Sequence, residues 1–150
     1  MYKVLIGLTI LIIITACNKD KYNTKPKLTF NTVNQNTFAR GNKISFNLTC
    51  TDAEGDVSDS IFMYKINRNC GRDTLRLFYT IPKYPLSKNL SIDLNIDYNY
   101  AIPTIPTIPT LTISNTCNNR NDSCRFKFIV KDKAGNRRDS VLSSEIVLLR

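Results

Sequence analysis

Lys43-Ile44-Ser45-Phe46-Asn47-Leu48-Thr49-Cys50 alternates polar and apolar residues without a break, so Ile44, Phe46, Leu48 and Cys50 fall on one side of an extended chain. Successive side chains of a strand point to opposite faces, and a period of two therefore marks a strand with one buried and one wet face, as in antiparallel sheets. The same pattern recurs on either side. Leu90, Ile92, Leu94 and Ile96 alternate with Ser91, Asp93 and Asn95, and Cys124, Phe126, Phe128 and Val130 alternate with Arg125, Lys127 and Lys131. Further β-rich runs lie at 60–67, 74–81, 110–114 and 141–149, with a short first one at 27–30. About seven or eight short strands separated by Asp, Gly, Asn and Pro clusters predict an all-β domain, an antiparallel immunoglobulin-like β-sandwich, with an open β-barrel as the alternative. One segment departs from this pattern. Ile102 to Thr110 repeats Ile-Pro-Thr, and proline at every third place favours polyproline II geometry, so an extended edge segment or a long crossover is expected there.

The first residues have a different purpose. Met1-Tyr2-Lys3 carries one positive charge and is followed by an apolar run from Val4 to Ile14. That run is well short of the ~20 residues that cross a bilayer and reads as the core of an export signal. Ile14-Thr15-Ala16-Cys17 follows it directly and resembles a bacterial lipobox. The resemblance to bacterial lipoproteins implies cleavage before Cys17 and attachment of lipid to its thiol, with more than one acyl chain needed for stable anchoring. Residues 1–16 are then a lipoprotein signal peptide, 17–26 a lipidated Cys and flexible tether, and 27–150 the folded domain. A nine-residue tether spans roughly 15 to 20 Å.

Two turns carry a second resemblance: Thr51-Asp52-Ala53-Glu54-Gly55-Asp56-Val57-Ser58-Asp59-Ser60 and Lys131-Asp132-Lys133-Ala134-Gly135-Asn136-Arg137-Arg138-Asp139-Ser140. With these the chain resembles the small immunoglobulin-like lipoproteins of Bacteroidota, which implies an outer-membrane lipoprotein facing the periplasm or the cell surface. In a sandwich of that topology the acidic and the basic turn lie side by side, at the end where the chain enters.

Asp52, Glu54, Asp56 and Asp59 place four carboxylates within eight residues. Such a density of oxygen ligands suits Ca²⁺, although Gly55 does not stand where an EF-hand loop needs its glycine. A solvated turn whose carboxylates pair with Lys133, Arg137 or Arg138 explains the same residues and is the expectation, with a structural Ca²⁺ as the alternative and no other cofactor. Cys50, Cys70, Cys117 and Cys124 are even in number in an exported chain, which favours disulfides. Cys117 with Cys124 reads as a local clip, leaving Cys50 for Cys70, although a full strand between those two would set them at opposite ends of the domain.

The 150 residues hold no His and no Trp, and their net charge is +9. Without His there is no Ser-His or Cys-His nucleophile, and without Trp the best sugar-stacking ring is missing, so an enzyme is not expected. Loss of the leader removes Lys3 and lowers the charge only to +8. Export makes nucleic acid an unexpected partner. The reading is a membrane-anchored, non-catalytic module that binds an envelope protein or glycan, the alternative being a structural subunit of an envelope complex. Replacing Cys17 by Ser should move the protein from the membrane fraction to the soluble fraction, as read by immunoblotting of fractionated cells; retention at the membrane contradicts the lipid anchor.

Overall fold

The computed structural model describes residues 25–71, 75–85, 87–112, 120–133 and 140–150. The expected leader (1–16), Cys17, most of the expected tether, Cys117, Arg137 and Arg138 lie outside the described residues. Among the described residues the chain is all-β, with ten strands: β1 (Lys27–Val33), β2 (Thr37–Phe38), β3 (Lys43–Asp52), β4 (Val57–Asn67), β5 (Arg76–Thr80), β6 (Leu90–Tyr100), β7 (Thr110–Leu111), β8 (Asp122–Asp132), β9 (Val141–Leu142) and β10 (Ile146–Leu148). One sheet runs β1-β3-β6-β7 and the other β2-β10-β8-β4-β5, with β9 also paired to β8.

The long neighbours are antiparallel, as the alternation implies, but β2 runs parallel to β10 and β7 parallel to β6, so the sheets are mixed. Both exceptions involve two-residue edge strands. In one case the chain crosses from the first sheet to the second, where β2 lies along β10, and in the other it leaves β6 through a loop and returns beside it as β7; alternation along a strand encodes neither. The run expected at 141–149 is likewise split. Ser143, 4% exposed, takes the Phe126 N–H on its own hydroxyl oxygen at 2.9 Å, while its N–H donates to the Phe126 carbonyl at 2.8 Å. A side chain thus replaces one rung of the ladder and separates β9 from β10.

The two sheets face each other across one core. Ile44, Phe46, Leu48 and Cys50 of β3 are fully buried, and so are Cys124, Phe126, Phe128 and Val130 of β8. Phe46 meets Phe126 at 5.0 Å between ring centroids and Phe128 at 5.3 Å, edge to face, while Phe30 stacks on Phe128 at 6.4 Å. Ring pairs at these distances contribute about 0.5 to 1.5 kcal/mol beyond the area they bury.

Polar groups enter this interior at both ends, Asp52 and Asp132 beside the turn after β3 and a second set at the opposite end. Lys65 is in phase with Ile61 and Met63, and Asp122 with Cys124 and Phe126; their side chains are fully buried and form an ion pair. Nearby, the hydroxyl of buried Tyr100 donates to the Leu149 carbonyl at 2.6 Å and secures the last strand. Asn99, also fully buried, organises the Ile-Pro-Thr segment. Its amide donates to the carbonyls of Ile105 (2.8 Å) and Ile108 (3.0 Å) and accepts from Thr104 Oγ1 and the Ile105 N–H, both at 3.0 Å. The segment is therefore a compact loop joining β6 to β7 and not a straight polyproline edge. Prolines contribute carbonyls without N–H groups, and Asn99 supplies donors the loop lacks.

Lys65→Met should destabilise the fold by about 3 to 5 kcal/mol by leaving Asp122 buried alone, whereas Lys65→Met with Asp122→Leu should recover most of that loss, both measured by urea unfolding. Equal destabilisation by the single and double variants would contradict the pairing. Burial pushes Cys50 up from 9.0 to about 12, with the Asp52 carboxylate adding to it, and pushes Tyr98 and Tyr100 up from 10.0 to about 12. The unfolded chain releases these protons first, so stability should hold to about pH 9 and fall from there to about pH 12. A urea midpoint that stays level across that range contradicts the burial of these groups.

Candidate functional site

The acidic turn after β3 is built around Asp52. Its carboxylate points inward, is fully buried and accepts the Asp56 N–H at 3.0 Å. Burial pushes its pKa above the usual carboxylate value, and hydrogen bonds from the Asp56 and Gly55 backbone pull the other way. Gly55 has φ +72, and a Cβ there would meet the Ser87 carbonyl oxygen at 2.1 Å, so only glycine closes this turn. Glu54 and Asp59 are exposed and Asp56 is half-buried. Among the described residues no three acidic, Cys or His side chains are grouped to hold a metal ion. The Lys133 N–H donates to the Asp56 carbonyl at 2.8 Å, so the basic turn does begin beside the acidic one. Asp59, Lys83, Tyr84 and Lys133 line a cleft of about 400 Å³ there.

The expected disulfides are corrected. Cys50 and Cys124 are buried thiols and Cys70 is disulfide-bonded, so neither Cys50–Cys70 nor Cys117–Cys124 forms. Cys50 lies opposite Leu28 and Ile92, near the acidic turn, whereas Cys70 follows the far end of the 11-residue β4. A strand of that length spans about 35 Å. Cys124 is in phase with the core residues of β8, which turns its thiol inward.

The outer faces of the two sheets differ in chemistry. On the β1-β3-β6 sheet, polar groups satisfy one another: Ser45 donates to Asp97 (2.6 Å), Asn47 to Asn95 (2.8 Å) and Thr49 to Asp93 (2.7 Å), and Lys43 pairs with Asp97 at 3.3 Å. On the other sheet, β8 presents Arg125, Lys127 and Lys131, and these lie beside Phe62, Tyr64 and Ile66 of β4. Beyond them, at the edge, β5 sets Phe78 opposite Phe62 and Arg76 opposite Tyr64. Lys131 Nζ stands 5.3 Å from the Phe62 ring centroid and the Arg76 guanidinium 5.8 Å from that of Tyr64. Phe78 is 73% exposed, with Ile66 and Leu142 at 42% and 45%. Arg68 and Arg125 hold Glu145 at the rim, and together with Ile66 and Leu142 the two arginines frame a depression of about 370 Å³.

Alternation in β8 placed Arg125, Lys127 and Lys131 outward correctly. It missed Phe62, Tyr64, Arg76 and Phe78. Both parities of β4 read as apolar, Ile61-Met63 on one side and Phe62-Tyr64-Ile66 on the other, and only packing chooses between them.

No protein family matches the sequence, and no curated protein matches it. Among solved structures the chain is similar to the Pseudomonas fluorescens alkylpurine DNA glycosylase AlkC bound to DNA containing an abasic site analog, with a TM-score of 0.50 and 11% identity, over 93% of this chain and 33% of that one. The likeness is one of fold, and this chain spans about a third of that protein's length. It corrects two expectations. The module for an envelope protein or glycan, with a structural subunit as its alternative, and the exclusion of nucleic acid both give way, because the structure this chain is similar to is that of a DNA-bound protein.

Proposed function

We propose that this chain is a binding module, not an enzyme, whose sandwich has immunoglobulin-like topology and whose basic outer face holds the phosphate backbone of nucleic acid. The observation that carries the reading is the concentration of Arg76, Arg125, Lys127 and Lys131 on one sheet face, interleaved with aromatic rings, while the opposite face is a self-satisfied ladder of Asn, Ser, Thr and Asp. Lys and Arg on such a surface attract the polymer and displace its counterions, so binding depends on salt. The DNA bound in the similar structure favours nucleic acid over other polyanions. The immunoglobulin-like topology is supported by the first strand, which is split between the sheets as β1 and β2, and by the central β8-β4 pair. Export and lipid attachment at Cys17, with placement at the outer membrane, belong to the same proposal and are supported by the leader and its Ile14-Thr15-Ala16-Cys17 motif. The nucleic acid is then met outside the cytoplasm.

Fluorescence anisotropy with a labelled oligonucleotide tests the face. The logarithm of affinity should fall against the logarithm of salt with a slope of about −3 to −4, corresponding to about four phosphate contacts. Lys127→Ala with Lys131→Ala should weaken binding and reduce that slope by about 2. No binding at low salt, or a slope that the double variant leaves unchanged, overturns the proposal.

A further inference from the structure

We infer that this face takes single-stranded nucleic acid in preference to duplex, with Phe78 as the stacking surface for an unpaired base; the inference rests on the basic-face reading above. Phe78 stands on β5, at the edge of its sheet, and presents 73% of its surface to solvent. It lies directly across from Phe62, which sits under the Lys131 ammonium, and two residues from Arg76, which covers Tyr64. Across β5, β4 and β8 one row reads Arg76-Tyr64-Lys127 and the next Phe78-Phe62-Ile129, with the Lys131 ammonium over Phe62, so the face mixes rings and cations. That is the composition of a groove that follows a single strand, in which charge tracks the backbone and rings receive the bases.

Phe78 is an open ring: the positions two residues away on its face of β5 are Arg76 and Thr80, and Phe62 and Tyr64 each stand beneath a cation. It fits one base turned out of its stack, as an extended single strand presents it. In a duplex each base is covered above and below by its own stack, and Phe78 would face sugar and phosphate with no ring to contact. Duplex binding then depends on the basic residues alone. The depression formed by Ile66, Leu142, Arg68 and Arg125 continues the track on the far side of β4, with an apolar floor and guanidinium groups at the rim.

The test uses the purified full chain with oligothymidine and with a mixed-sequence duplex of equal length, titrated by anisotropy at one salt concentration. Oligothymidine should bind about tenfold more tightly than the duplex. Phe78→Ala should lower affinity for oligothymidine about tenfold and leave duplex affinity and the melting temperature unchanged, while Phe78→Trp retains single-strand binding. Equal affinity for the two probes, or a Phe78→Ala variant that binds oligothymidine like the parent, overturns the inference and leaves the basic-face reading standing. Failure of both probes to bind overturns that reading as well.

Discussion

Phe46 is wedged against Phe126 and Phe128 where the two sheets meet, and the rest of the architecture is arranged around that contact. Once these rings face inward, the pleat sends their neighbours outward. Ser45 and Asn47 must then line one solvent face, and Arg125 and Lys127 the other. A slip of one residue in β8 would bury Arg125, Lys127 and Lys131 and expose Cys124, Phe126, Phe128 and Val130, so the register of the functional face and the stability of the core are the same constraint. The basic surface is thus the reverse side of the aromatic core, and neither can shift alone.

The interior also carries groups that do not belong to an apolar core. Lys65 and Asp122 occupy inward positions at the end near β2, the C-terminal strand and the Asn99 loop. A buried ion pair rarely adds net stability, because desolvation offsets the attraction, but it penalises any arrangement in which either charge is buried without the other. It therefore acts on the register between β4 and β8, of which β8 presents Arg125, Lys127 and Lys131 on the basic face and β4 the rings beside them. Asn99 has a comparable role on the other sheet, where one buried amide bonds to Thr104, Ile105 and Ile108 inside the Ile-Pro-Thr loop. In both places a single polar group selects among packings that hydrophobic burial alone would leave close in energy.

The concentration of charge follows from how strands are shared between the sheets. β8 is bordered by β4 on one side and by β9 and β10 on the other, so its outward residues lie at the centre of a broad surface. β5 extends that surface with Phe78 and Arg76. β3 and β6 instead face outward with short polar side chains that bond to each other. A net charge of +9 on 150 residues is an average over these two very different faces.

From the residues alone, the period of two in β3, β6 and β8 determined that the domain is all-β and which side of those strands is buried, because alternation is local and needs no knowledge of partners. The absence of His and the overall charge were equally legible. The parity of β4 was not, since both of its faces are apolar. Nor were the parallel edge strands, the fate of the cysteines, the inward turn of Lys65 and Asp122, or the winding of the Ile-Pro-Thr segment around Asn99. Each of these depends on which residue distant in sequence arrives opposite. Phe78 shows the difference plainly: in the sequence it is one apolar residue in a β-rich run, and only the pairing of β5 with β4 sets it opposite Phe62, beside Arg76 and in solvent.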